Sequence, residues 1–214
     1  MRTTILIVRH GETLWNKERR LQGQKDIPLS ETGILQAKAL QDTIKRHKIT
    51  KIYTSKLSRA IKTAEIITNH LDLPMKKLKT LNEISYGQWE GRLREEYKEE
   101  LKRLNIPYHL YTPKNGEPNN RFKKRVISSF RKIVNKNQGE TILIVAHGAV
   151  IQAIFRHLKK IPYSQDSPYK IPNTCFSIFH LEDGKIIEEL LADDSHLAQI
   201  LTVGVLTKAK KSIE

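Results

Sequence analysis

Two histidines, His10 and His147, close two near-identical apolar runs: Ile5 to Gly11 reads ILIVRHG and Ile142 to Gly148 reads ILIVAHG. Each run is short, continuous and rich in β-branched and aliphatic residues, the composition of a strand buried on both faces. The glycine after each histidine lets the backbone turn sharply. In an open α/β sheet, ligands bind just beyond the carboxyl ends of the strands. Two imidazoles at equivalent strand ends can therefore face each other across one small site. A lone histidine is ordinarily a satisfied, half-buried residue, whereas a matched pair points to chemistry. The flanks of the two runs diverge, so this is a shared device and not an internal repeat.

The arginines indicate which chemistry. Arg9 adjoins His10, and Arg59 falls in the first turns of a helix predicted to open near Ser55. Free amides and the helix dipole already favour an anion there. Two guanidiniums and two imidazoles make a cationic pocket, which repels a divalent metal unless carboxylates balance it. Such a pocket suits a dianionic phosphoryl group held by forked donors. A neutral imidazole is a good nucleophile, and neighbouring cations disfavour its protonated form. One ring nitrogen stays free when the other N–H is held, for which a nearby backbone carbonyl suffices.

Strands and helices must alternate to bring these residues together. Residues 3–9, 51–54 and Thr141 to Ala146 read as strands. Ser30 can cap a helix over about 31–47, with Ile34, Ala37, Leu40, Gln41 and Ile44 inward. Ser55 or Ser58 opens a helix to about 70, and further helices are predicted near 92–104, over 119–136, and from Ala149 to Leu158. Cys175 to Leu181 and Ile186 to Leu191, joined by Glu182-Asp183-Gly184-Lys185, read as a closing hairpin. The alternation predicts a three-layer α/β/α sandwich with a mostly parallel, mixed sheet. Residues 1–194 form one domain, with a lid inserted over the sheet edge at about 83–121 and a tail over 195–214 that lacks a clean period.

The chain has 214 residues, 38% hydrophobic and 29% charged, which is globular and enough for one domain. No apolar run approaches the ~20 residues needed to span a bilayer. Ile5-Leu6-Ile7-Val8 is closed by Arg9-His10 and is no signal peptide. The one cysteine, Cys175, leaves no internal disulfide and no thiolate metal cluster, and the expected compartment is the cytoplasm. Thirty-eight Lys and Arg against 23 Asp and Glu give +15, a charge that draws polyanions. Most of the excess is scattered lysine, such as Lys45, Lys48, Lys51, Lys56 and Lys62, with no basic arm. A solvated surface is the simpler reading. A non-enzymatic polyanion-binding protein with a vestigial site is the remote alternative, since no stacking or groove-entering motif accompanies the charge.

The full set of motifs resembles the histidine phosphatase superfamily, in its phosphoglycerate-mutase-like branch. It comprises Arg9-His10-Gly11-Glu12-Thr13 with Trp15-Asn16, Leu21-Gln22-Gly23 with Asp26, Pro28-Leu29 and Gly33, and Tyr53-Thr54-Ser55 with Leu57 and Arg59-Ala60. Thr63-Ala64, Leu81, Glu83, Gly87-Gln88-Trp89-Glu90-Gly91, Ala146-His147-Gly148 and Pro172-Asn173 complete it. Arg-His-Gly alone is a weak string, but these blocks in order are specific. The stretch Tyr86 to Gly91 is most similar to the broad-specificity phosphatases. Glu117 and Arg125 also match, while Pro118 stands where relatives carry a small hydroxyl residue.

The resemblance implies a metal-independent phosphomonoesterase with no cofactor. It implies that His10 becomes phosphohistidine, and that Arg9, Arg59 and His147 bind the phosphoryl group with Asn16, Gln22, Gly23 and Gly148 near the same oxygens. Glu83 is implied as proton donor to the leaving oxygen and then as base for water. A cofactor-dependent phosphoglycerate mutase or a ribazole phosphatase is the alternative. The expected partner is a small phosphorylated metabolite, with no nucleic acid and no membrane; a homodimer is left open. Residues 86–111 hold five of the fourteen aromatics, where chance would place fewer than two. An aromatic rim favours esters with ring or apolar character.

Overall fold

The computed structural model, which describes residues 1–198, sets the two histidine-bearing runs side by side. In chain order the elements are β1 (Arg2–Arg9), a four-residue helix α1 (Leu14–Lys17), α2 (Glu31–Lys45), β2 (Lys51–Thr54), α3 (Ser58–Ile67) and β3 (Met75–Lys77). There follow α4 (Arg94–Leu104), α5 (Asn119–Lys136), β4 (Thr141–Ala146), α6 (Gly148–Leu158), β5 (Phe176–Glu182) and β6 (Lys185–Asp193). The sheet order is β3-β2-β4-β1-β5-β6; its first four strands are parallel, and β5 and β6 run antiparallel to their neighbours. β1 pairs with β4 from Thr4↔Thr141 to Arg9↔Ala146, so the two copies of ILIV lie in matching register.

Successive strand residues point to opposite faces, and here both faces are covered. Ile5, Ile7, Ile142 and Ile144 pack with Phe122, Val126 and Phe130 of α5 and with Ile151 and Phe155 of α6. Leu6, Val8, Leu143 and Val145 pack with Ala37, Leu40 and Ile44 of α2 and with Ala60, Ala64 and Ile67 of α3. The result is the expected α/β/α sandwich. Strands buried on both sides read as unbroken apolar runs for this reason.

Several local expectations differ. The helices predicted to reach 47 and about 70 end at Lys45 and Ile67. Ser30 does cap α2, accepting the Gly33 N–H at 3.1 Å. Neither Ser55 nor Ser58 caps α3, whose N-cap is Leu57 without a side-chain bond. The cap comes from afar: Asp26 accepts the Ser58 N–H at 2.7 Å and its O–H at 2.8 Å. The hairpin turn is the two residues Asp183-Gly184, both with positive φ, and not four. β3 and α1 were not expected, being three and four residues long with no period to show. Of the tail predicted over 195–214, Ser195–Leu197 form a short 3₁₀ turn with His196 buried near Phe176, and residues 199–214 lie outside the described ones. Among the described residues no helix is long and apolar enough to cross a membrane.

The segment around 83–121 holds α4, two 3₁₀ turns and irregular chain. It is stitched to the loop following β1, with Leu21 N–H donating to Arg92 O at 2.9 Å and Gly91 N–H to Leu21 O at 2.8 Å. Leu21, Trp89 and Tyr97 form a small apolar cluster between them.

Two glycines let the loop after β1 fold back on α2. A Cβ on Gly33 would stand 2.0 Å from the Glu12 carbonyl oxygen, and one on Gly11 would stand 2.5 Å from that of Gly33. Backbone meets backbone here, so neither side can yield cheaply. Gly33→Ala is expected to cost at least ~1–3 kcal/mol of stability, read from the denaturant midpoint. An unchanged midpoint would show that the approach is not as close as described.

Candidate active site

The parallel register carries past the strand ends: His10 N–H donates to Ala146 O at 3.0 Å, and the His10 and His147 ring centroids lie 5.1 Å apart. Both rings are buried. The His10 Nδ1 lies 2.7 Å from the Gly11 carbonyl oxygen, which can only accept. The proton therefore sits on Nδ1, and Nε2 keeps a bare lone pair. Burial, then the Arg59 and Arg9 guanidiniums, hold His10 well below the ordinary histidine range. Burial, Arg59, His10 and Arg9 do the same for His147. Both imidazoles stay neutral, as the cationic surroundings require.

Each arginine is fixed by carbonyls. Arg59, fully buried in the first turn of α3, donates to Lys25 O and Gly23 O, both at 2.8 Å. Burial lowers its pKa to about 10. Arg9 Nη1 donates to Ile171 O, and burial is the main cause that lowers this guanidinium too. In both residues the Nε–H is buried with no hydrogen-bond partner among the described residues. Unpaired buried donors are costly, and an anion would satisfy them.

Glu83 stands opposite. Its Oε1 accepts the Ile84 N–H at 3.0 Å, and its Oε2 accepts the Ala149 N–H at 3.1 Å in the first turn of α6. Its backbone carbonyl accepts from Gln24 Nε2 and Arg125 Nη2. Arg125 also clamps Glu117 through two 2.7 Å bonds and reaches Thr80 O and Asn82 O. The Glu117–Arg125 pair is thus a brace for the loop that carries Glu83. Pro118 simply occupies the N-cap of α5.

Asn16 has its sense fixed by its neighbours. Its Oδ1 accepts from the Thr13 N–H, the Thr13 O–H and Asn173 Nδ2 at 3.2, 3.1 and 3.3 Å. Asn173 also holds His10 O at 3.0 Å. Arg9, His10, Asn16, Gln22, Gly23, Arg59 and Glu83 all line one narrow cleft of about 40 Å³. The His147 ring lies beside that of His10, tilted by 57° to it. A Cβ on Gly148 would lie 3.8 Å from Arg9 Nε and 4.0 Å from Glu83 Oε2, so Gly148 sits between them. The structure brings all nine expected site residues together.

A wider cavity of about 560 Å³ shares Arg9, Leu21, Glu83, Tyr86 and Arg94 with the cleft. Of the five aromatics in the 86–111 stretch, Tyr86, Tyr97 and Tyr108 face this cavity. Trp89 and Tyr111 instead pack against Tyr97, with ring centroids at 5.4 and 5.8 Å. Sequence reasoning did not find Arg94, which lines both cavities and makes no ion pair among the described residues. It lies in a charged helix where nothing sets it apart from Arg92 or Lys98. Ser55, which the sequence offers only as a helix cap, also belongs to the site: its Oγ lies 2.7 Å from His147 Nε2.

Cationic donors converging on a buried imidazole at the strand ends fit a protein that handles phosphoryl groups. The chain belongs to the histidine phosphatase superfamily (branch 1), which residues 5–194 match. It is 32% identical over 206 residues to phosphoglycerate mutase-like protein 4 of Arabidopsis thaliana, covering 91% of this chain and 87% of that one. It is 29% identical over 205 residues to a metal-independent phosphoserine phosphatase of the same plant, covering 92% and 84%. The solved structure of Bacillus stearothermophilus YhfR superposes with a TM-score of 0.79 at 34% identity, covering 86% of this chain and 94% of that one.

Proposed function

We propose that this chain is a phosphomonoesterase that hydrolyses small organic phosphate esters through a phosphohistidine on His10. The observation that carries the reading is the Nδ1–H···O=C bond of His10 to Gly11, which leaves Nε2 bare in a cleft walled by two guanidiniums. Nε2 attacks phosphorus, the P–N bond forms, and the ester P–O bond breaks. Arg9 and Arg59 neutralise the oxygens of the transferring group, so positioning and charge stabilisation supply most of the catalysis. The Glu83 carboxyl gives its proton to the leaving oxygen. Its carboxylate then takes a proton from water, whose oxygen attacks phosphorus and returns the electron pair to Nε2. One carboxylate against two guanidiniums is a poor donor set for a divalent cation, which supports metal independence.

The wide cavity supports hydrolysis over transfer. A mutase must shield its phosphoenzyme from water while an intermediate reorients, whereas here some 560 Å³ adjoins the cleft. Its tyrosines and Arg94 suit an organic group with ring or apolar character. The test supplies an aromatic phosphate ester in excess chelator, and separately 3-phosphoglycerate with a trace of 2,3-bisphosphoglycerate. Turnover of the ester, with phosphate release outrunning isomerisation, is expected. No turnover in chelator, or isomerisation much faster than release, would overturn the reading.

Glu83→Gln should separate leaving groups. A protonated donor matters most when the departing oxygen is a poor leaving group, so alkyl esters should lose about 10²–10⁴-fold and an activated phenol far less. Equal losses for both would remove Glu83 from the acid role.

A further inference from the structure

Ser55 and His147 end adjacent parallel strands, β2 and β4, and both are fully buried. The Ser55 hydroxyl makes two contacts: its oxygen accepts the Leu57 N–H at 3.2 Å, and it lies 2.7 Å from His147 Nε2. A hydroxyl carries one proton and must place it. Leu57 N–H is a donor, so among the described residues His147 Nε2 is the acceptor that the hydroxyl reaches. Were Nε2 protonated, two donors would face each other and the serine proton would be buried unpaired. The hydroxyl therefore donates to Nε2, and the imidazole proton sits on Nδ1. That nitrogen is buried and has no hydrogen-bond partner among the described residues. A neutral imidazole offers a single N–H, so its position decides whether His147 presents a donor or a lone pair beside the His10 ring.

We propose that Ser55 is a positioning residue that locks His147 in the Nδ1–H tautomer, so that its one proton is presented to a phosphoryl oxygen in the cleft. The inference rests on the phosphatase reading above. It assigns to Ser55 a task distinct from helix capping. It also explains how a ring that lies against the nucleophile attracts the phosphoryl group: with the opposite tautomer, the Nδ1 lone pair would face an anionic oxygen. The same logic holds His10 in the form it needs, there through the Gly11 carbonyl and here through a hydroxyl.

Nitrogen-15 NMR of the intact protein reads the tautomer directly and depends on no activity. We expect a protonated, pyrrole-type Nδ1 and a bare, pyridine-type Nε2 on His147. Ser55→Ala should move both signals toward averaged values, lower kcat/KM for an aromatic phosphate ester by about 10–100-fold, and weaken competitive inhibition by inorganic phosphate. Ser55→Thr, which keeps the hydroxyl, should restore most of the rate and the native signals. A protonated Nε2 in the unaltered protein would overturn the proposal, as would a Ser55→Ala enzyme within twofold of the unaltered one. An inactive protein with Nδ1 protonated would instead remove the phosphatase reading while leaving the hydrogen-bond assignment in place.

Discussion

His10→Ala is expected to abolish turnover, lowering kcat/KM by about 10⁴-fold or more, as removal of a covalent nucleophile does. Among the described residues the ring makes a single side-chain hydrogen bond, to the carbonyl of the next residue, so its loss leaves the frame intact. Arg9 and Arg59 are fixed by the carbonyls of Ile171, Lys25 and Gly23, none of which depends on His10. Inorganic phosphate should therefore still bind the variant, and its melting temperature should change little. The dissociation of binding from turnover is the diagnostic result. A variant that kept most of its rate would shift the nucleophile to His147 or to a directly attacking water.

The second large effect is expected at Arg59. Its guanidinium lies wholly inside the protein and donates to two carbonyls of the loop that carries Gln22 and Gly23. Arg59→Met removes a transition-state donor and unties that loop together. A loss of about 10²–10³-fold in kcat/KM is expected for the lost charge stabilisation, with weakened phosphate inhibition. Arg59→Lys should recover little, because an ammonium is a single point of charge and cannot span the Lys25 and Gly23 carbonyls and the cleft as the wide planar fork does. Activity within threefold of the unaltered enzyme would show that Arg59 serves only the loop.

What the sequence revealed follows from how local each signal is. The ILIV runs announced buried parallel strands because both faces are covered, by α5 and α6 on one side and α2 and α3 on the other. Their pairing in register then brings His10 and His147 together with no further information. Helix α2 was legible from Ser30 and its apolar spacing. The misses that bear on the site are long-range, and the others are too short or too close to an element's end to show in a local pattern. Asp26 caps α3 from 32 residues away, which made Ser55 look like the cap and hid its contact with His147. The edge strand β3 is three residues with two lysines, too short to show alternation. Arg94 becomes distinctive only when the fold brings it to the lining of the cleft. The aromatic excess in 86–111 was visible, but its division between Tyr86 and Tyr108 at the cavity and Trp89 behind it is a matter of packing.

The covalent step is the centre of the account, and rapid quenching tests it most directly. The protein is mixed in excess chelator with a phosphorus-labelled aromatic ester, stopped within a turnover, and its bound label assayed. Phosphate bound to the chain, labile in acid, stable in base, mapping to His10 and absent from His10→Ala, is the result expected. Steady release of free phosphate with no label ever found on His10 would contradict it.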